Sequence, residues 1–290
     1  MKVITTIKHM QEYSTEARKS GRTIGFVPTM GYLHEGHLSL LRAAKKECDI
    51  VVLSIFVNKI QFGPNEDYNK YPRDIQHDKD MAEKEMVDVV FAPLHDEMYS
   101  SGFSTYVDVT GSVSDVLCGS SRPGHFKGVA TVVTKLFNIV MPHKSYFGQK
   151  DAQQAVVIKH MARDMNSVVE IRVMPIVREA DGLAMSSRNK YLSSEERKNA
   201  LRLPEALMKA RRDIAAGEVS AKRIKQKIKD YFKKGNGIRI EYIEIIDRDN
   251  LNVVEIVKAN TLIAAAVFVG KVRLIDNIET IGPVFEDRKD

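Results

Sequence analysis

Short apolar runs rich in β-branched residues alternate with amphipathic segments along roughly the first 175 residues of the chain. Apolar runs of this length, bounded by turn residues, predict buried strands, and a three-to-four-residue apolar repeat predicts helices. Strands that alternate with helices predict a Rossmann-like parallel sheet with helices on both faces, an α/β fold. The predicted strands are residues 23–27, 50–57, 87–91 and 168–173, and the predicted helices are residues 38–46, 74–85, 129–140 and 152–165.

The pattern changes after about residue 178. Ser193 and Glu196 form a predicted capping box at the start of a charged helical stretch that ends at Gly217. Helices followed by a run of strands predict a smaller C-terminal α+β domain. We therefore expect a large domain over residues 1–177 and a small one over residues 178–290. The remaining predicted elements of the small domain are a Lys-rich helix at residues 221–234 and strands at residues 239–246, 253–257 and 262–269.

Composition places the chain among ordinary globular proteins, because 43% of its 290 residues are hydrophobic and 28% are charged. The formal charge of +6 is mild and is spread along the chain. Such a charge favours anionic substrates over nucleic acid as partners. No apolar leader opens the chain, and the apolar run at 262–269 is far too short to cross a bilayer. With two cysteines, Cys48 and Cys118, and no CxxC motif, we expect free thiols and a cytoplasmic location without membrane contact.

The first segment that predicts chemistry is PTMGYLHEGH at residues 28–37, between a predicted strand and a predicted helix. Free N–H groups and the helix dipole attract phosphate at such a position. Gly36 allows close approach to the backbone, and the imidazoles of His34 and His37 can donate hydrogen bonds to phosphate oxygens. A zinc site would need further ligands, and the sequence has no HExxH motif. Two incidental loop histidines remain an alternative, but the position between strand and helix favours a nucleotide site.

One further segment follows a predicted strand, and another contains a short strand that Gly148 interrupts. Residues 57–67, VNKIQFGPNED, place the amides of Asn58 and Gln61 where they can bind a polar substrate, although the segment also suits a simple turn. Residues 146–154, YFGQKDAQQ, place Lys150 at a helix start, where acidic residues are preferred, so a phosphate partner is favoured. Asp151 and Gln154 also fit a capping pair.

The fourth segment is MSSRN at residues 185–189, which follows READGL at residues 178–183. Hydroxyl groups and an arginine on a loop can bind a triphosphate, the arginine through its bidentate fork. Taken alone, the motif is weak evidence for a triphosphate site, since Ser-Ser-Arg is common on protein surfaces.

A His-Xaa-Gly-His loop paired with a later Met-Ser-Ser-Arg loop resembles the two signatures of the adenylate-forming nucleotidyltransferases, which include class I aminoacyl-tRNA synthetases. Within that superfamily the chain is similar to the pantothenate synthetases over nearly its whole length. The similar strings, in order, are PTMGYLHEGH, SIFVNKIQFGPNED, RPGHFKGVATVV, FGQKDAQQ and READGLAMSSRN.

The resemblance implies that pantoate's carboxylate attacks the α-phosphorus of ATP, and that β-alanine's amine then attacks the pantoyl-adenylate. It further implies a nucleotide- and pantoate-binding domain over 1–177, a lid domain over 178–290, a requirement for Mg²⁺, and a homodimer. His34, His37 and Lys150 would act catalytically on the phosphates, while Arg122 and His125 would be supporting residues. Pantoate would be held by Asn58, Gln61 and Gln154, with Gln61 also near β-alanine. ATP would be bordered by Met30, Gly31, Tyr32, Leu33, His34, Glu35, Gly36, His37, Gly148, Gln149, Lys150, Asp151, Val177, Met185, Ser186, Ser187 and Arg188.

One departure from the family pattern is Lys59, where these enzymes usually have proline, so the rigidity of this loop is in question. Two other functions stay open. An adenylyltransferase whose acceptor carries a phosphate would be expected to have basic residues in place of the amides of Asn58, Gln61 and Gln154. An RNA-binding, synthetase-like module would use the Lys-rich stretch at residues 222–234, where only Tyr231 and Phe232 interleave with the cations.

Overall fold

The computed structural model describes residues 1–64 and 66–280. Asn65, part of the second motif, and the last ten residues of the predicted small domain lie outside this part. The chain forms two compact units. The first comprises Met1–Gln149 and Val157–Pro175, and the second comprises Lys150–Val156 and the residues from Ile176 onward. The predicted domain boundary between residues 177 and 178 stays a prediction.

The first unit contains a parallel sheet whose strand order is β1-β4-β3-β2-β5-β6. Every recorded pairing in it is parallel, with Ile24 opposite Ile50 between β2 and β3. The predicted α/β fold with a parallel sheet is therefore confirmed. Strand β1 was not predicted, because three residues are too few to show a pattern. The strands are β1 (Lys2–Ile4), β2 (Ile24–Thr29), β3 (Ile50–Ile55), β4 (Val89–Phe91), β5 (Lys144–Gly148) and β6 (Glu170–Met174).

Helices connect these strands and bury their apolar faces. Helix α2 buries Leu38, Leu41 and Ala44, positions three and six residues apart on one face, and it ends at Cys48, whose backbone is extended. The helices are α1 (Ile7–Lys19), α2 (Glu35–Glu47), α3 (Ile75–Lys84), α4 (His95–Met98), α5 (Ser112–Asp115), α6 (Cys118–Ser121), α7 (His125–Val140) and α8 (Ala152–Asp164).

The strand order reverses direction at β2 and β5, which places a topological switch point between them. The chain passes from β2 to β3 and β4 on one side, and returns through α7 to β5 on the other. The recorded pairing of β2 with β5 is Gly25 with Lys144 and Phe26 with Ser145, before the carboxyl end of β2 at Thr29. Ligands of open α/β sheets bind at such a point, beyond the carboxyl ends of the strands.

The second unit contains the antiparallel sheet β7-β8-β9. The predicted capping box is confirmed: Ser193 Oγ accepts the Glu196 N–H at 3.3 Å, and Glu196 Oε2 accepts the Ser193 N–H at 2.8 Å. The core of the unit includes Leu207, Ile228 and Ile263. Its elements are α9 (Ser194–Ala200), α10 (Arg202–Ala215), α11 (Ala221–Lys233), β7 (Ile238–Asp247), β8 (Thr261–Val269) and β9 (Val272–Glu279).

The predicted strand at residues 253–257 is wrong. Only isolated bridges, at Val253 and Ile256, occur there, and those two side chains are 70% and 55% exposed. The third strand is instead β9, in which Asp276 and Asn277 obscure the apolar alternation. Both are buried and hydrogen-bonded within the unit, which offsets the free-energy cost of burying a polar side chain.

Two further features concern the part of the chain that the structure describes. Across residues 1–64 and 66–280, no helix is both long and apolar enough to traverse a bilayer. Both cysteines, Cys48 and Cys118, belong to this part of the chain, are buried and form no disulfide.

Candidate active site

The loop after β2 has a backbone that other parts of the first unit hold in an unusual conformation. Gly31 and Tyr32 both have positive φ, +83° and +52°. A Cβ at Gly31 would lie 2.8 Å from Asp78 Oδ2 and 3.0 Å from Ile55 Cγ2, so only glycine fits there. The Gly31 N–H donates to Thr29 Oγ1 at 3.1 Å.

Asp78 of α3 anchors this loop and was not among the predicted site residues. Its carboxylate is 1% exposed and accepts the N–H groups of Tyr32 at 2.9 Å and Leu33 at 2.7 Å. Burial raises the pKa of the Asp78 carboxyl above its usual range, and the two N–H donors oppose part of that rise. The available signal was an acid on the apolar face of a helix, four residues before the buried Ala82.

His34 and His37 lie at the start of α2. His34 is the N-cap, with φ −143° and ψ 174°. The two imidazole rings stack at 4.1 Å between centroids. His37 Nδ1 accepts the His34 N–H at 3.3 Å, so in this arrangement the ring carries its proton on Nε2. That tautomer keeps an N–H donor at the far side of the ring, as the predicted role on phosphate requires.

Asn58 and Gln61 are buried and bonded to each other. Asn58 is 1% exposed and Gln61 is 8% exposed. Asn58 Nδ2 donates to Gln61 Oε1 at 3.1 Å, and Gln61 Nε2 lies 3.2 Å from the sulfur of Met30. The predicted acid-binding amides thus adjoin the first residue of the loop after β2.

A chain of polar contacts supports Gln61 from behind. His125 Nδ1 is 2.9 Å from the Gln61 carbonyl oxygen, and His125 Nε2 is 2.9 Å from Arg122 Nη1. A carbonyl oxygen only accepts and a guanidinium only donates, so His125 is neutral with its proton on Nδ1. Arg122 in turn binds Glu66 through two contacts of 2.6 Å. These contacts fit the supporting role expected of Arg122 and His125.

Glu66 makes this support sensitive to acid. Burial alone would raise the pKa of Glu66, but the Arg122 guanidinium holds it below the usual 4.5. A lowered pKa in the folded state stabilises the protein above pH 4.5, and that stabilisation is lost as the pH falls through the folded pKa. We therefore expect Glu66→Gln to reduce the decline in unfolding free energy below pH 4.5, as measured by urea unfolding at several pH values. Glu12→Gln, at an exposed glutamate, is the control. An unchanged decline in Glu66→Gln would contradict the expectation.

Lys59 does not prevent an ordered segment. It begins a 3-10 turn, Lys59–Gln61, a position where proline would also fit. Contacts with α7 hold this turn in place of proline's fixed ring. A Cβ at Gly128 would lie 2.6 Å from Gln61 Cα and from the Ile60 carbonyl oxygen.

The carboxyl end of β5 brings Gly148 and Gln149 to the same edge of the sheet as the loop after β2. A Cβ built on Gly148 meets no atom of the described residues within 4 Å. Glycine is therefore not needed there for packing within the protein, and it leaves room for a ligand.

Lys150, Asp151 and Gln154 lie in the second unit. Asn277 of β9 donates from Nδ2 to the Lys150 carbonyl oxygen at 3.1 Å and is 4% exposed. No local pattern predicted this contact, because the two residues are 127 positions apart.

Val177 and the Met-Ser-Ser-Arg loop are joined within the second unit. The Met185 N–H donates to the Val177 carbonyl oxygen at 3.0 Å. Ser186 caps the 3-10 turn Ser187–Tyr191 by accepting the Arg188 N–H at 3.2 Å.

A second set of contacts holds the end of this loop. Asn189, 6% exposed, donates to Glu179 Oε1 and to the Ala184 carbonyl oxygen, and Arg197 bonds both Glu179 and Asp181. The end of the loop is therefore bonded to the charged side chains of Glu179 and, through Arg197, of Asp181.

These features describe an α/β protein with a candidate polar ligand site at the switch point of its parallel sheet. Comparison with known proteins narrows the class. The model of the pantoate-β-alanine ligase family matches residues 2–279, and the chain belongs to this family. It is accordingly a ligase that forms pantothenate from pantoate and β-alanine.

Its relatives match over almost their full length. Pantothenate synthetase of Thermotoga petrophila is 56% identical over 96% of this chain and 99% of its own. The crystal structure of pantothenate synthetase from Thermus thermophilus superposes with a TM-score of 0.92 at 41% identity, covering 97% of this chain and 100% of that one. Pantoate-β-alanine ligase of Francisella tularensis, solved in complex with β,γ ATP and β-alanine, has a TM-score of 0.78 at 36% identity, covering 97% of this chain and 98% of that one.

Proposed function

We propose that the chain condenses (R)-pantoate with β-alanine through a pantoyl-adenylate, at the expense of ATP, giving pantothenate, AMP and pyrophosphate. The observation that carries this mechanism is the contact between Gln61 and Met30. It joins a buried amide pair suited to a hydroxy acid with the loop that resembles an ATP-binding signature. An acid bound at the amides would lie beside the nucleotide, as an attack on the α-phosphorus requires.

In the first step a carboxylate oxygen of pantoate attacks the α-phosphorus, and the bond from that phosphorus to the pyrophosphate oxygen breaks. Little covalent participation by the protein is needed, so catalysis rests on positioning and on donors placed where negative charge grows. His37 supplies a neutral N–H donor from Nε2, with His34 beside it. Lys150 supplies a full positive charge, and Ser186, Ser187 and Arg188 supply further donors for the triphosphate.

In the second step the amine nitrogen of β-alanine attacks the acyl carbon. The acyl–phosphate C–O bond breaks, AMP leaves, and the amine gives up a proton. A mixed anhydride is already activated, so this step needs exclusion of water more than a strong base. Gln154 and Gln61 are the side chains assigned to keep the acyl group in place.

Mg²⁺ fits this proposal as part of the substrate. Among residues 1–64 and 66–280, no group of three His, Cys, Asp or Glu side chains could hold a metal ion. ATP-bound Mg²⁺ does not require one, because phosphate oxygens and water supply most of its ligands. When bound, the ion offsets charge on the triphosphate.

Pantoate-dependent exchange of pyrophosphate into ATP tests the proposal. We expect exchange with ATP and pantoate alone, and net AMP formation only when β-alanine is added. Exchange that needs a phosphate-bearing acceptor instead would identify the other adenylyltransferase class. The side chain of Asn58 is bonded to uncharged groups: the Tyr99 hydroxyl, the Gln61 amide and the Gly128 carbonyl. Uncharged surroundings favour the hydroxyl-bearing part of pantoate over a phosphate group beside Asn58.

A cytoplasmic homodimer without nucleic-acid partners completes the proposal. The family resemblance supports the dimer, and light scattering would test it. Several cations on and near α11 are paired with carboxylates, which weakens the case for an RNA-binding surface. A salt-sensitive change in the electrophoretic mobility of RNA on adding the protein would support an RNA-binding surface after all. The pairs are Arg223 with Glu218, Lys225 with Glu244, Lys227 with Asp213, and Lys233 with Asp230.

A further inference from the structure

The side-chain nitrogen of Asn58 is fully used inside the protein. A carboxamide has two donor hydrogens. In Asn58 one is directed to Gln61 Oε1 and the other to the Gly128 carbonyl oxygen, both at 3.1 Å. Asn58 therefore has no N–H left for a substrate and can offer only a lone pair of Oδ1.

Tyr99 completes the set of contacts around Asn58. Its hydroxyl donates to Asn58 Oδ1 at 2.8 Å, and Tyr99 is 7% exposed. The ring packs edge-on against Phe103, with 4.8 Å between centroids. The Gly128 carbonyl can only accept, so a flipped Asn58 amide would place two oxygens against each other. The amide is thereby oriented with Oδ1 towards Tyr99.

The orientation passes from Asn58 to Gln61. Because Gln61 Oε1 accepts from Asn58, the NH₂ end of the Gln61 amide is the end next to Met30, at 3.2 Å from its sulfur. The Gln61 backbone is fixed independently, since its carbonyl oxygen lies 2.9 Å from His125 Nδ1. Gln61 thus offers donors, not acceptors, beside the loop that follows β2.

We propose that Tyr99 is a positioning residue for pantoate: through Asn58, its hydroxyl holds the Gln61 amide with its NH₂ group towards the acid. The donors match the carboxylate and hydroxyl oxygens of pantoate. This inference rests on the proposed function, because it takes Gln61 as a pantoate-binding residue.

Tyr99→Phe tests the relay, because it removes the hydroxyl and keeps the ring packing. Loss of one net hydrogen bond corresponds to a rise of about three- to tenfold in KM for pantoate. We expect that rise, with KM for ATP within about twofold of its original value. Tyr146→Phe is the matched control. It removes another buried hydroxyl of the first unit, one that contacts Cys48 and Glu47, and it should leave KM for pantoate unchanged. An equal rise of KM for both substrates in Tyr99→Phe would indicate a general structural effect and overturn the proposal.

Two further variants locate the cause of any change. In an Asn58→Ala background, Tyr99→Phe should produce no additional loss of pantoate binding by calorimetry, because Tyr99 acts through Asn58. An additional loss of the full size would contradict the relay. Gln61→Glu keeps an acceptor for Asn58 but replaces the NH₂ group with a second oxygen, and it should weaken pantoate binding more than Tyr99→Phe does.

The outcomes separate the relay from the function on which it rests. If Gln61→Ala raises KM for pantoate and Tyr99→Phe does not, the relay is wrong and the role of Gln61 survives. If neither variant changes KM for pantoate, both the relay and the assignment of Gln61 to pantoate are wrong.

Discussion

Lys150→Ala is expected to slow pantoyl-adenylate formation by about 10²–10³-fold, the loss typical of removing one charge-stabilising donor from an active site. Lys150 lies within the turn Gln149–Asp151, which joins β5 to α8, where side chains are normally acidic or neutral. A cation there opposes the helix dipole unless it has an anionic partner, and the triphosphate is the partner we assign to it. The measurement is single-turnover release of pyrophosphate with ATP and pantoate, in the absence of β-alanine.

The matched control is Lys159→Ala, which removes an exposed lysine from the same helix. It should leave the adenylation rate unchanged. The Lys150 backbone carbonyl still accepts from Asn277 in the alanine variant, so the fold should persist, which circular dichroism would check. Equal rates in Lys150→Ala and in the unaltered protein would remove Lys150 from the mechanism.

Asp78→Ala is expected to impair catalysis as strongly, although Asp78 is not assigned any contact with a substrate. The substitution leaves the buried Leu33 N–H without its acceptor, which costs about 1–3 kcal/mol, and it releases Tyr32 from a left-handed conformation. A shift of the loop by about 1 Å corresponds to a loss of about 10²-fold in rate. We expect a lower melting temperature together with a lower kcat and a higher KM for ATP.

Asp78→Asn and Asp80→Ala separate the possible causes. Asparagine preserves the volume and one acceptor but places an NH₂ group against one of the two N–H donors, so it should share most of the loss. Asp80→Ala, at an exposed acid of the same helix, should change neither stability nor kinetics. Normal kinetics in Asp78→Ala would show that the loop after β2 holds its shape without the carboxylate.

Periodicity predicted strands β2, β3 and β4 well because nearly all of their residues are buried and most are apolar. The prediction failed where apolar residues are exposed or polar residues are buried. Residues 253–257 are mostly apolar, yet Val253 and Ile256 are exposed. In contrast, β9 carries the buried Asp276, which pairs with Arg178 at 2.7 Å. A single sequence does not reveal such pairings, because their partners are far apart along the chain.

The same limit applies to the site. The residues that carry recognisable motifs, such as His37 and Lys150, could be selected from local context alone. Asp78 and Tyr99 could not, since the roles we propose for them rest on contacts with residues 45 and 41 positions away. Motifs thus predict candidate ligand-binding groups, while candidate residues that would orient those groups emerge only from the folded structure.

The lysine at position 59 has a consequence for how the chain folds. A proline there would restrict the turn in the unfolded state already. Here the turn depends on the contact of Asn58 with Gly128, which closes a loop of 70 residues. Closing a long loop is entropically unfavourable until other contacts have brought its ends together. We therefore expect the segment assigned to the acid to gain its native geometry together with the docking of α7.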